Sequence, residues 1–137
     1  MSERSLRFTI AGESDVGIAR IRTHRLAIDE GFSEVAAAAL ATAVSELARN
    51  VLAHARSGEL VLEIAVEEAR HGIVATVRDE GPGIASIERA MEDGYSTTRS
   101  LGLGLPSARR LVDELEVVSV AGVGTTVTAK KWRPAIE

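Results

Sequence analysis

Three short stretches of the 137-residue chain carry side chains suited to chemistry. In the first, Glu46 and Asn50 stand four residues apart, the spacing that brings two side chains onto one face of a helix. A carboxylate can take a proton from a hydroxyl, and an amide oxygen is a hard ligand suited to Mg²⁺. Their neighbours on that face are Ala39, Ala43 and Ala53, where an ordinary solvated face would be crowded with Lys, Glu and Arg. This alanine floor lies roughly opposite the Val44, Leu47 and Val51 stripe and leaves room for something to dock. A chance Glu and Asn on a surface helix make the same pattern.

The second stretch is Arg78-Asp79-Glu80-Gly81-Pro82-Gly83-Ile84. Asp79 continues the period-two series Ile73, Ala75, Val77, so it points to the apolar side of its strand. An inward aspartate needs a donor; the exocyclic amine of adenine would serve, and Gly81 and Gly83 would let the backbone come close to a flat ring. Gly-Pro-Gly is also an ordinary turn. The third stretch runs from Gly94 to Pro106. Gly102 and Gly104 precede a helix that tolerates Pro106 in its first turn, and such a terminus presents N–H groups to a phosphate. It lacks the Gly-Lys-Ser/Thr of a P-loop and does not follow a strand. Arg99 is within reach of a terminal phosphate, or is simply solvated.

These residues need elements to hold them. Leu6–Ile10 reads as a strand, and Ser14 can cap a helix to about Glu30 that Gly31 stops in a left-handed conformation. Ser33 caps a longer helix to about Ala55, with Leu40, Val44, Leu47, Ala48, Val51, Leu52 and Ala55 on its core-facing stripe. Alternation predicts a strand over Leu60–Glu67, a turn at Arg70-His71-Gly72, and a second strand from Ile73 to Asp79. A short helix around Ile87–Met91, a helix over Leu105–Glu114, and strands at Leu115–Val120 and Thr125–Trp132 complete the chain. Helices early and late with strands mainly in the second half predict the α+β class: two layers, with helices on one face of a mixed, mainly antiparallel sheet. The three prolines are scattered and mark no linker, so one domain over residues 1–137 is expected.

Composition bounds what the site could serve. With 16 Lys/Arg against 20 Asp/Glu the formal charge is −4, and aromatics are 3% of residues, which argues against nucleic acid as a partner. The core must come from Ala, Val, Leu and Ile. The absence of cysteine excludes disulfides and thiolate-held metals. No run approaches the roughly 18 consecutive apolar residues of a membrane helix, so neither a membrane nor a signal segment is expected and the location reads as cytoplasmic. Arg20, Arg22, His24 and Arg25 make a basic cluster on the first helix, either a solvated side or a partner-docking face. His54 and His71 lack a second ligand at metal spacing, and Trp132 is expected to pack the end of the last strand.

Taken in order, Ser45-Glu46-Leu47-Ala48-Arg49-Asn50, Asp79–Ile84, Gly94-Tyr95-Ser96-Thr97, Leu101–Pro106 and Gly122-Val123-Gly124-Thr125 closely resemble the N-box and glycine boxes of the GHKL ATP-binding superfamily. Within it the chain is similar to the RsbT-type serine kinases, relatives of the anti-sigma factors RsbW and SpoIIAB. The resemblance implies the Bergerat fold, with ATP between helices and sheet under a lid at about residues 92–103. It implies Glu46 as general base, Asn50 as Mg²⁺ ligand, Asp79 as adenine contact and Gly81 and Gly83 as its glycine support. Gly102, Leu103 and Gly104 would meet phosphate, and Thr125 would join the adenine network. Thr98–Leu101 departs from a more glycine-rich stretch of that family, which makes Arg99 a local phosphate contact or a change in lid stiffness. The length leaves no space for a phosphoacceptor-histidine region, so the resemblance implies a stand-alone kinase. Its expected substrate is a STAS-domain antagonist of RsbS or RsbR type. The other reading is an ATP-gated module that sequesters or activates a sigma factor or an RsbU-like phosphatase, and a plain ATPase is a third.

Overall fold

The computed structural model describes residues 5–81 and 105–133. Within them the chain runs β1 (Ser5–Ile10), α1 (Glu13–Asp29), α2 (Glu34–His54), β2 (Gly58–Glu67), β3 (Arg70–Asp79), α3 (Leu105–Leu111), β4 (Glu114–Val120) and β5 (Gly124–Trp132). The strands form one sheet in the order β1-β2-β3-β5-β4, and every neighbouring pair is antiparallel. The expected α+β layering is present, and the sheet is antiparallel throughout its described strands.

Local chemistry sets most boundaries. Ser33 caps α2 as expected, its hydroxyl accepting from the Ala36 N–H at 3.1 Å. The start of α1 differs from the sequence reading. Its cap is Gly12, and the Asp15 carboxylate reaches back to the N–H groups of Ala11 (2.9 Å) and Gly12 (3.1 Å). A carboxylate there satisfies free donors and lies at the positive end of the helix dipole, so Ser14 falls inside the first turn. At the other end Gly31 has φ +90°, with Phe32 N–H donating to the Ala27 carbonyl and Gly31 N–H to that of Ile28. That pair of bonds is the Schellman arrangement.

The β2–β3 turn also sits elsewhere than expected. Glu68 and Ala69, at φ 49° and 72°, make a two-residue turn, and Glu67 faces Arg70. Left-handed turn residues match the twist of the strands they join. This register sets Leu62 opposite Ala75 and Ile64 opposite Ile73, apolar against apolar, which a turn at 70–72 would break. Likewise α3 ends at Leu111 and not at Glu114. Asp113 is drawn onto β5 instead, its N–H donating to the Lys130 carbonyl and its carboxylate accepting from the Trp132 N–H at 2.7 Å. Lys131 caps the end of α3 through the Leu111 carbonyl at 3.0 Å. Trp132 closes the last strand as expected, its ring under the Arg70 guanidinium and its Nε1–H donating to Glu114.

The core lies between α2 and the sheet. Leu40, Val44, Leu47, Ala48 and Val51 of the expected stripe are buried, while Leu52 and Ala55 are half-buried. They meet Ile10, Leu60, Leu62, Ile73, Ala75 and Ala129, and Phe32 is the aromatic of the cluster. Small residues let the layers approach closely, which compensates for the scarcity of rings. By length and hydropathy α2 would pass as a membrane span, but half of that window is buried in this core.

Candidate functional site

Sheet register assembles the first half of the site. One row crosses all five strands, with Ile10 opposite Gly58, Gly58 opposite Asp79, Asp79 opposite Thr125 and Thr125 opposite Ser119. Directly opposed residues share a face, and on β3 and β5 this is the face of Val77, Ala75, Val127 and Ala129, buried beneath the helices. Asp79 therefore points inward as the alternation predicts. Its Oδ1 accepts the Gly81 N–H at 2.9 Å, and Oδ2 has no hydrogen-bond partner among the described residues. Thr125 is 9% exposed and shares a 2.8 Å hydrogen bond with the Ser119 hydroxyl. The expected adenine pair, Asp79 and Thr125, thus stands side by side.

Three glycines, Gly58, Gly81 and Gly124, leave no room for a Cβ at that row. A Cβ on Gly81 would lie 2.7 Å from the Ala55 Cβ and 3.1 Å from the His54 carbonyl, so the chain leaving Asp79 passes directly under the end of α2. Gly124, at φ +153°, is held tighter, since a Cβ there would lie 2.2 Å from the Asp79 carbonyl oxygen. Around the ends of β2 and β3 opens a pocket of about 460 Å³ lined by Ala55, Ser57, Gly58, Glu59, Arg78, Asp79 and Glu80. Asp79 and Gly58 come from the helix-covered face of the sheet, Arg78 and Glu59 from the open face.

The second half lies on α2. Ala55 touches Gly81, and Glu46 stands nine residues earlier, about 14 Å up the helix, with Asn50 between. Both side chains sit half-buried on the shoulder between core and solvent. The alanine floor is partly corrected: Ala53 is exposed and Ala39 half-buried, but Ala43 is wholly buried, because helix packing claims that edge of the face. Arg49, which sequence reasoning passed over, places Nη1 4.0 Å from the Glu46 Oε1. Among the described residues no cluster of three His, Cys, Asp or Glu could hold a metal. A single amide oxygen, that of Asn50, would fit a Mg²⁺ that keeps most of its waters and takes its other ligands from phosphates.

Gly83, Arg99, Gly102, Leu103 and Gly104, with the expected lid and the helix around Ile87–Met91, lie outside the described residues. The basic cluster on α1 divides. Arg22 lies over the Phe8 ring at 5.4 Å, toward β1, while His24 pairs with Glu34 of α2 at 3.1 Å. Arg20 and His24 line a hollow of about 220 Å³ with Ile21, Ala38 and Ala41. Sequence reasoning also missed Gly58 and Ser119, whose places in the row follow only from strand pairing.

The described parts of the site are thus an inward aspartate in a helix-covered row, a pocket beside it and a Glu/Asn pair further up α2. Residues 11–131 match the histidine kinase-like ATPase domain family, and the chain belongs to it. It is 42% identical over 123 residues to the serine/threonine-protein kinase RsbT of Bacillus subtilis, covering 90% of this chain and 92% of that one. It is also 33% identical over 97 residues to an anti-sigma F factor of Halalkalibacterium halodurans, across 66% and 65% of the two chains. A crystal structure of the RsbU and RsbW domains of a Mycobacterium tuberculosis protein shares the fold, with TM-score 0.66 and 21% identity over 96% of this chain and 34% of that one. The chain is an RsbT-type serine/threonine-protein kinase of the GHKL superfamily.

Proposed function

We propose that the protein is an ATP- and Mg²⁺-dependent kinase of the bacterial cytoplasm that phosphorylates a serine or threonine of a STAS-domain antagonist, of RsbS or RsbR type, and so switches partners in a sigma-factor pathway. The observation that carries the reading is the continuity of the Asp79–Thr125 row with the α2 shoulder, joined by the Gly81–Ala55 contact. Asp79 takes the adenine amine on its Oδ2, with the hydrogen-bonded Thr125 and Ser119 hydroxyls on the neighbouring strands beside it. The terminal phosphate then falls beside Asn50, which would hold Mg²⁺ and so allow the charge of the transferring phosphoryl group to be neutralised. Glu46, half-open to solvent, removes the proton of the acceptor hydroxyl as the phosphoryl group arrives.

The test is transfer of γ-phosphate from Mg-ATP to a purified RsbS-type STAS protein. Glu46→Ala should lower transfer by about 10²–10⁴-fold while nucleotide binding stays intact, and chelation of the metal should stop transfer. Undiminished transfer by Glu46→Ala would remove the base from the mechanism. The second reading, an ATP-gated binding module for a sigma factor or an RsbU-like phosphatase, draws on the anti-sigma F relatives and on the exposed Ile18 and Ile21 of α1 beside Arg20. Wild-type protein that bound such a partner only with ATP and never transferred phosphate would decide for it.

A further inference from the structure

Arg49 and Asn50 fall on either side of Glu46 on α2. At about 100° per residue, Asn50 lies about 40° round the axis on one side of Glu46 and Arg49 about 60° on the other. Ala38 and Ala41, about 80° and 140° round on the Arg49 side, border the hollow that Arg20, Ile21 and His24 of α1 complete. The Arg49 side of α2 is therefore the α1 side. Since α3 also packs on α2, it takes the other flank, and that is the flank of Asn50. By this count Asn50 lies on the α3 flank of Glu46 and Arg49 on the α1 flank.

Among the described residues Arg49 has one loose ionic contact, with Glu46. Its side chain is 52% exposed against 33% for Glu46, and the 4.0 Å separation is far outside the 2.7–2.9 Å of a charge-assisted hydrogen bond. An open pair of this kind contributes little to stability. What it leaves is a half-exposed guanidinium beside a proton acceptor and on the same flank as Arg20, in a chain whose overall charge is −4.

We propose that Arg49 is a specificity residue for the protein acceptor: it receives a carboxylate of the incoming protein on the α1 side of Glu46, while Asn50 serves the nucleotide on the α3 side. This rests on the kinase reading above. An acidic side chain near the acceptor hydroxyl would dock on the guanidinium and bring that hydroxyl over the Glu46 carboxylate, so that recognition and proton removal act on one flank of the helix.

The experiment compares wild type, Arg49→Glu and Arg49→Lys in phosphotransfer to a purified RsbS-type STAS protein, with ATP affinity measured separately by calorimetry. Arg49→Glu should raise KM for the STAS protein by about tenfold or more, with ATP affinity within twofold of wild type, and Arg49→Lys should recover most of the loss. An unchanged KM in Arg49→Glu overturns the proposal, and so does a parallel fall in ATP affinity, which would assign Arg49 to the nucleotide. If wild type transfers no phosphate to this protein, the kinase reading fails on its own. Affinity for the STAS protein in the presence of ATP then decides the role of Arg49: weaker binding by Arg49→Glu sustains it and equal binding removes it.

Discussion

The two halves of the site are held in different ways. Asp79 and Thr125 stand in a row fixed by register on both sides, with the Gly81 and Gly124 backbones in contact with their neighbours and almost no space to move. Glu46 and Asn50 project from a helix whose position is fixed by its opposite face, so their own side chains carry little of the packing. The base end should therefore be intolerant of volume, and the phosphoryl end tolerant of volume but intolerant of changed chemistry. Substitutions that separate stability from binding test that contrast.

The largest effect belongs to Gly124→Ala. The new Cβ would meet the Asp79 carbonyl oxygen and the Glu80 Cα, both backbone atoms that cannot swing aside, so the β5 end must move off β3. Thermal unfolding should show a loss of about 2–4 kcal/mol, with ATP binding falling in step as the row opens. Gly122→Ala in the same turn is the control. Its φ is +78° but nothing lies within 4 Å of the added carbon, so only the backbone term remains, about 1 kcal/mol, with ATP affinity retained. Equal losses from both glycines would mean that the close contact at Asp79 does not constrain the row.

Asp79→Asn probes the same end without adding volume. The amide oxygen can still accept the Gly81 N–H, so the turn after β3 survives. The amide NH₂, however, would face the adenine amine, donor against donor. ATP affinity measured by calorimetry should drop by about 10- to 100-fold, equivalent to about 1.4–2.8 kcal/mol, while the melting temperature stays near that of wild type. Unchanged affinity would remove Asp79 from the adenine contact.

Much of this was legible in the chain because it depends on local periods. Period two pointed Asp79 inward, and the 3.6-residue period separated Glu46 and Asn50 from the buried stripe of α2. Ser33 and Gly31 announced helix ends through their own side-chain and backbone chemistry. What stayed hidden depends on partners distant in sequence. Ser119 becomes part of the site only because β4 lies beside β5, and Gly124 is constrained because the Asp79 backbone runs against it. At α1 two local signals competed, and the charged Asp15 won over Ser14 because it could satisfy two N–H groups at once. The turn at Glu68-Ala69 was missed because neither residue type favours a left-handed backbone; cross-strand pairing of the core residues imposed it. Arg49 required only the subtraction of two helical angles, but its meaning depends on which neighbour occupies each flank.

The smallest expected effect tests the tolerance of the α2 shoulder. Ser33 caps α2 thirteen residues before Glu46, about 20 Å along the axis, and its hydroxyl satisfies the Ala36 N–H. Ser33→Ala should lower stability by about 1 kcal/mol, seen as a few degrees in melting temperature, through fraying of the first turn. Because the Leu40, Val44, Leu47 and Val51 face fixes the helix further along, the fraying should stop before it reaches Glu46. ATP affinity and transfer rate should then match wild type at temperatures well below the transition. A transfer rate that fell in Ser33→Ala would show that the shoulder is positioned by the whole length of α2, and that the two halves of the site share one mechanical support.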